Sequence, residues 1–175
     1  LDAPAREEDT GALRAALEAD LGPLLAEFTA MRAAEGAALE ATIAKHIDEI
    51  ARLREAAAAA AEERGARAGD VLRAQVGRVM EATDAVDPER LAQELALIAV
   101  KSDVTEELDR LAAHVDAARD LLAADGPKGR TLDFLLQEFN REANTLCSKS
   151  GSRALTAIGL DLKAAIDQMR EQIQN

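Results

Sequence analysis

The chain has 175 residues, 48% of them hydrophobic but only 2% aromatic, with no Trp or Tyr. This composition leaves little to build a sheet from and points to a thin core of Leu, Ile, Val and Ala, that is, an all-α fold: an elongated helical bundle with long, coiled-coil-like helices. Thirty-three Asp and Glu against 21 Lys and Arg give a formal charge of -12, which argues against a broad phosphate-neutralising surface for nucleic acid. The single Cys147 excludes an intrachain disulfide framework and fits a reducing compartment. No apolar run approaches a membrane span, and the opening LDAPAREEDT lacks the basic start and apolar stretch of a signal peptide. The expected location is the cytoplasm.

In chain order, the first helix starts near Thr10, a possible N-cap, and carries Leu13, Leu17 and Leu21. Gly22 and Pro23 are expected to kink or break it. A long helical pattern follows through Leu24, Phe28, Met31, Leu39, Ile43, His46, Ile50 and Leu53, its later steps alternating four and three like a coiled-coil seam. His46 on that seam reads as structural. The alanine run 56–61 favours helix but packs little, with Gly65 and Gly69 as weak points beyond it. Val71, Val76, Val79 and Met80 mark a further helix, and the stretch from Thr83 to Pro88 reads as a turn, with Asp87 as cap and Pro88 at the first helical position. One helix is expected from Glu89 through Leu91, Leu95, Ile98, Val104, Leu108, Leu111 and Val115 to Leu122, broken by Asp125, Gly126, Pro127, Lys128 and Gly129. The next runs to about Cys147, SKSGS forms a loop, and a last helix carries Leu155, Ile158, Leu162, Ile166, Met169 and Ile173. Two long helices joined by a compact break imply antiparallel packing of their polar faces.

The segment RTLDFLLQEFNREANTLCSKS, Arg130 to Ser150, is more polar than a helix of its length requires. Leu132, Leu135, Leu136, Phe139, Ala143 and Leu146 satisfy a core face. The remaining positions hold Asp133, Gln137, Glu138, Asn140, Arg141, Glu142, Asn144, Thr145, Ser148 and Lys149. Short amides and hydroxyls are poor helix formers, so this face reads as a binding surface. With ELDRLAAHV before it and DLKAAIDQMREQIQN after it, the segment closely resembles the C-terminal region of the YicC family, the stress-induced YicC-like proteins. The similarity runs from about Arg90 to Asn175, is most specific from Leu132 to Ser150, and extends weakly upstream to Arg32, Glu35 and Gly36. It implies an endoribonuclease that needs a divalent cation and assembles as a ring-like homo-oligomer, up to a hexamer. It also implies an additional N-terminal domain of mixed α and β structure. On that basis residues 1–88 are expected to be a long-helix region continuing from such a domain, and 89–175 the YicC-like C-terminal helical domain.

Asp103, Glu107, Arg110 and His114 step by four, three and four along one helical stripe, with Glu106 and Asp109 beside it. If the helix of Gln137, Glu138, Arg141 and Glu142 packs antiparallel against it, carboxylates from both converge as hard oxygen ligands for Mn²⁺ or Mg²⁺. Glu106, Glu107, Glu138 and Glu142 are the metal-ligand candidates. His114, Arg110 and Arg141 are proposed for proton transfer or phosphate contact in RNA cleavage, and Arg130 and Lys149 for phosphate binding. The bland reading is a solvated helix face with local ion pairs, Glu106 or Glu107 with Arg110, and an interhelical hydrogen-bond network from Gln137 to Lys149. Cys147 has no His near it in sequence and reads as a small apolar filler. No Gly-rich phosphate loop, paired-Cys site or zinc-protease helix is present. Two other readings fit the same residues: a non-catalytic oligomerisation module built on seams at Leu39–Leu53 and Leu155–Ile173, or an adaptor that binds a protein through the polar helix.

Overall fold

The computed structural model of the chain describes residues 10–82 and 87–174. Five helices carry most of them: α1 Gly11–Ala82, α2 Pro88–Ser102, α3 Thr105–Ala123, α4 Gly129–Lys149 and α5 Arg153–Gln174. No strand occurs among the described residues, and the fold is all-α. None of these helices is long and apolar enough to cross a membrane.

Gly22 and Pro23 do not break α1; Pro23 sits inside it. The proline removes one backbone donor, but the Ala- and Leu-rich sequence on either side favours helix strongly enough to continue through it. The stretch from Val71 is likewise the continuation of α1 rather than a separate helix. The chain divides into two compact units, the first ending at Ala41 and the second beginning at Thr42. In the first, Leu13, Leu17, Leu21, Leu24, Phe28 and Met31 each leave half or more of their surface exposed.

In the second unit, α1 buries Ile43, Ile47, Ile50, Leu53 and Ala57, one face at three- and four-residue steps. The seam passes through Ile47 rather than the expected His46, which is only half-buried. This face runs antiparallel to α3. Asp48 pairs with Arg119 at 2.8 Å, Arg54 Nε donates to the Leu108 carbonyl at 3.0 Å, and Arg64 donates to the Ser102 carbonyl at 2.6 Å. Asp48, Arg54 and Arg64 thus tie this part of α1 to the later helices.

The turn expected at 83–88 lies outside the described residues at 83–86. At its end, Asp87 Oδ1 accepts the Glu89 N–H at 3.0 Å, capping α2. The helix expected to run unbroken from Glu89 to Leu122 is interrupted. Asp103 is extended, with φ -70° and ψ 128°, and its carboxylate accepts the Thr105 N–H at 2.9 Å and the Thr105 hydroxyl at 2.7 Å. A short carboxylate that bonds the backbone two residues on competes with helix continuation, and here it wins.

α3 supplies Leu108, Leu111, Val115, Ala118 and Leu122 to the core; α4 supplies Leu132, Leu135, Leu136, Phe139, Ala143 and Leu146; α5 supplies Leu155, Leu162, Ala165, Ile166 and Met169. Each fully buried Leu, Ile or Phe among them contributes about 1.5–3 kcal/mol. α4 packs against both α3 and α5. The α4–α5 joint is short, with Gly151 at φ +57°, a backbone state that favours glycine. Gly159 of α5 lies directly under Cys147 of α4, where an added Cβ would meet Sγ at 2.5 Å.

Candidate metal centre

α4 returns along α3 in the opposite direction, and the register of that pair decides which polar residues meet. Glu107 meets Lys149, Arg110 meets Glu142, and His114 meets Phe139. Residues four apart on each helix share a face, so the His114 imidazole comes together with the Glu138 and Glu142 carboxylates. One donor atom from each lies within 4.8 Å of the other two.

The three groups differ in burial. Glu142 is 2% exposed, whereas His114 and Glu138 are partly open. The buried carboxylate is held by Arg110, whose Nη1 lies 3.4 Å from Glu142 Oε1, while the other arm of the guanidinium donates to Glu106. Glu106 first, then Glu142, hold the Arg110 guanidinium more firmly protonated than usual. On the other side Arg141 is exposed, 4.0 Å from Glu138. The His114 ring stands edge-on to Phe139, centroids 5.8 Å apart at 79°. Its Nε2 is enclosed yet has no hydrogen-bond partner. A buried polar atom left without a partner is costly, and calls for an explanation.

A cation supplies one. An imidazole nitrogen and two carboxylate oxygens form a donor set for a first-row divalent ion, and donors at about 2.0–2.2 Å from such an ion stand about 3 Å apart. The three donor atoms, within 4.8 Å of one another, would have to draw closer to meet one ion. In donor chemistry the residues present fit the group.

The candidates named from sequence are not all in this cluster. Glu138 and Glu142 are in it, and His114, assigned above to proton transfer or phosphate contact, joins them. Glu106 is taken by Arg110. Glu107, 3% exposed, is bound by Lys149 at 2.8 Å, and the bond to Glu107 raises the Lys149 ammonium's pKa. Glu107 Oε2 has no partner. Arg110 and Arg141 flank the cluster, Lys149 lies two turns beyond Glu142 on α4, and Arg130 is exposed in the first turn of that helix. The signal for His114 as a donor was present in the four-residue steps Arg110–His114 and Glu138–Glu142, which only the helix register connects. A groove of about 740 Å³ between α1, α2 and the start of α3, lined by Ala58, Ala61, Leu72, Leu95 and Ile98, shares no residue with this cluster. Its walls also carry Glu62, Asp103 and Asp109. Burial pushes the Cys147 thiol up, consistent with a packing role.

The family described as Endoribonuclease YicC-like, C-terminal, matches residues 57–175. The chain belongs to that family. The YicC-like match begins inside α1 and takes in α2 to α5, including α3 and α4, which build the cluster. Among relatives, a protein of Haemophilus influenzae named Probable endoribonuclease YicC is 53% identical over 90 residues, 51% of this chain and 31% of the relative. A protein of the same name from Clostridioides difficile is 38% identical over 104 residues, 59% of this chain and 36% of the relative. The chain thus covers about a third of the length of these YicC relatives.

Proposed function

We propose that this chain carries the cation-binding part of a divalent-metal-dependent endoribonuclease, with Mn²⁺ or Mg²⁺ held by His114, Glu138 and Glu142 and RNA as the substrate. The observation that carries the reading is the His114 imidazole, its Nε2 enclosed and unpartnered, grouped with two carboxylates, on a chain whose relatives are named as ribonucleases. The mixed nitrogen and oxygen donor set favours Mn²⁺ over Mg²⁺, which prefers oxygen ligands. When bound, such an ion polarises a phosphodiester and lowers the pKa of water.

The chain's own residues do the rest. Arg110, with Nη1 3.4 Å from Glu142 Oε1, orients that carboxylate. Arg141, exposed beside Glu138, is placed to take a phosphate oxygen, with Lys149 and Arg130 contacting the backbone further along α4. Localised cations on one helix pair reconcile RNA binding with a formal charge of -12. A homo-oligomer, up to a hexamer, is part of the same proposal. The oligomerisation seams considered from sequence are used inside the chain, where Ile43, Ile50, Leu53, Leu155, Leu162, Ile166 and Met169 are buried; the exposed stripe Leu13–Met31 remains for assembly.

Cleavage of a labelled structured RNA with Mn²⁺, with Mg²⁺ and with chelator tests the reading. Cutting is expected with cation, is lost with chelator, and falls by more than about 100-fold in Glu138→Gln, beyond the usual effect of losing a ligand's supporting partner. Glu106→Gln should keep most activity. The same assay on the full-length Haemophilus influenzae relative separates an inactive chain from an inactive family. Cation-independent cutting, or no cutting by either protein, removes the proposal.

A further inference from the structure

We infer that Arg64, on α1 and far in sequence from the polar helix pair, is a positioning residue that sets Lys149 in place for a backbone phosphate; this rests on the RNA-binding reading above. Its guanidinium makes three bonds to main-chain carbonyls at two helix ends. Nη1 donates to the carbonyls of Lys149 at 3.0 Å and Ser150 at 2.7 Å, closing the C-terminus of α4. Nη2 donates to the Ser102 carbonyl at 2.6 Å, at the C-terminus of α2. The last carbonyls of a helix lack partners within it, and the helix dipole places negative charge there, so a cation that closes two such ends is well matched to them.

The consequence is a fixed distance between two joints. Ser102 adjoins the α2–α3 break at Asp103, and Lys149 and Ser150 begin the α4–α5 turn. Fixing both fixes where the start of α3 lies against the end of α4, and those are the turns carrying Glu107 and Lys149. The Lys149 ammonium spends one of its three donors on Glu107 at 2.8 Å and is 30% exposed, which leaves donors for a phosphate oxygen. Asp103 and Glu106 also face this ammonium. The planar fork of arginine spans carbonyls on two helices; a lysine ammonium on the same stem does not. Gly151 lies beneath the fork, where an added Cβ would stand 3.6 Å from Arg64 Nη1.

The test is the affinity of the unsubstituted chain for a labelled RNA, by fluorescence anisotropy in chelator so that no cleavage is required, across a salt series. Arg64→Gln, Arg64→Lys, Lys149→Met and the double variant Arg64→Gln with Lys149→Met are compared, with Arg67→Gln as control because Arg67 pairs only with Glu63 on its own helix in the observed contacts. Arg64→Gln and Lys149→Met are each expected to weaken binding about tenfold, the scale of one lost bond to a charged group. Each also lowers the salt slope by about one phosphate contact, and the double variant is no weaker than either single. Arg64→Lys, which keeps the charge, behaves like Arg64→Gln. A purely structural role would shift the melting temperature and leave the salt slope unchanged. Additive losses in the double variant, an unchanged slope, or full rescue by Arg64→Lys overturns the inference while leaving RNA binding intact. Failure of the unsubstituted chain to bind RNA at all overturns the functional reading and this one with it.

Discussion

At Gly159 a single hydrogen in place of a methyl decides how closely α5 approaches α4. A Cβ there would sit 2.5 Å from Cys147 Sγ and 3.8 Å from Cys147 Cα, so Gly159→Ala forces the sulfur or the helix to move, at about 1–3 kcal/mol by the usual cost of overpacking a core. Gly65 is the counter-case. Nothing lies within 4 Å of a Cβ added there, so Gly65→Ala should stabilise the chain by about 0.5–1 kcal/mol through helix propensity alone. Denaturant melts of the two variants should shift in opposite directions. The chemistry at this scale was partly legible in the sequence. The four-residue steps within each helix put Glu138 with Glu142 and Arg110 with His114. They did not reveal that Lys149, which reads as a free cation in sequence, is bonded to a nearly buried Glu107, nor that Arg64 reaches three carbonyls more than thirty residues away. Those pairings depend on register between helices, which periodicity within one helix does not specify.

Among the elements, the breaks were harder to read than the helices. Pro23 is a strong breaker by rule and is absorbed by α1, while Asp103, with Val104 and Thr105 after it, ends α2 without a Gly or Pro nearby. The cause is local: two bonds from Thr105 to one carboxylate oxygen. Those bonds, the hydroxyl's first, hold the Asp103 carboxyl below its usual range. A carboxyl whose folded pKa is depressed adds stability above the unfolded value, about 3.9 for Asp, and that stability is lost as the pH falls through the folded value. Asp103→Ala should therefore destabilise the α2–α3 joint at neutral pH and lose this difference in strong acid. Hydrogen exchange at the Thr105 and Leu108 amides, compared between the two proteins across that range, measures it; an equal difference at all pH values would contradict the assignment. The long helices themselves were plain in the sequence because their apolar steps persist for many turns. The choice of Ile47 over His46 was not, since each stands three or four residues from both Ile43 and Ile50.

Across the whole molecule, the family match from residue 57 to 175 and the packed unit from Thr42 onward largely coincide, and the candidate cation site lies wholly within both. The all-α class followed from composition, but the site required the fold: α3 carries His114, and α4 carries Glu138 and Glu142. The central claim is that His114, Glu138 and Glu142 bind one divalent ion. Calorimetric titration of Mn²⁺ into the chain tests it most directly, beside Glu138→Gln and Glu106→Gln. The account predicts one site per chain in the unsubstituted protein and in Glu106→Gln, and loss of that site in Glu138→Gln with the helical content unchanged. Binding that survives in Glu138→Gln, or that disappears in Glu106→Gln, would contradict it.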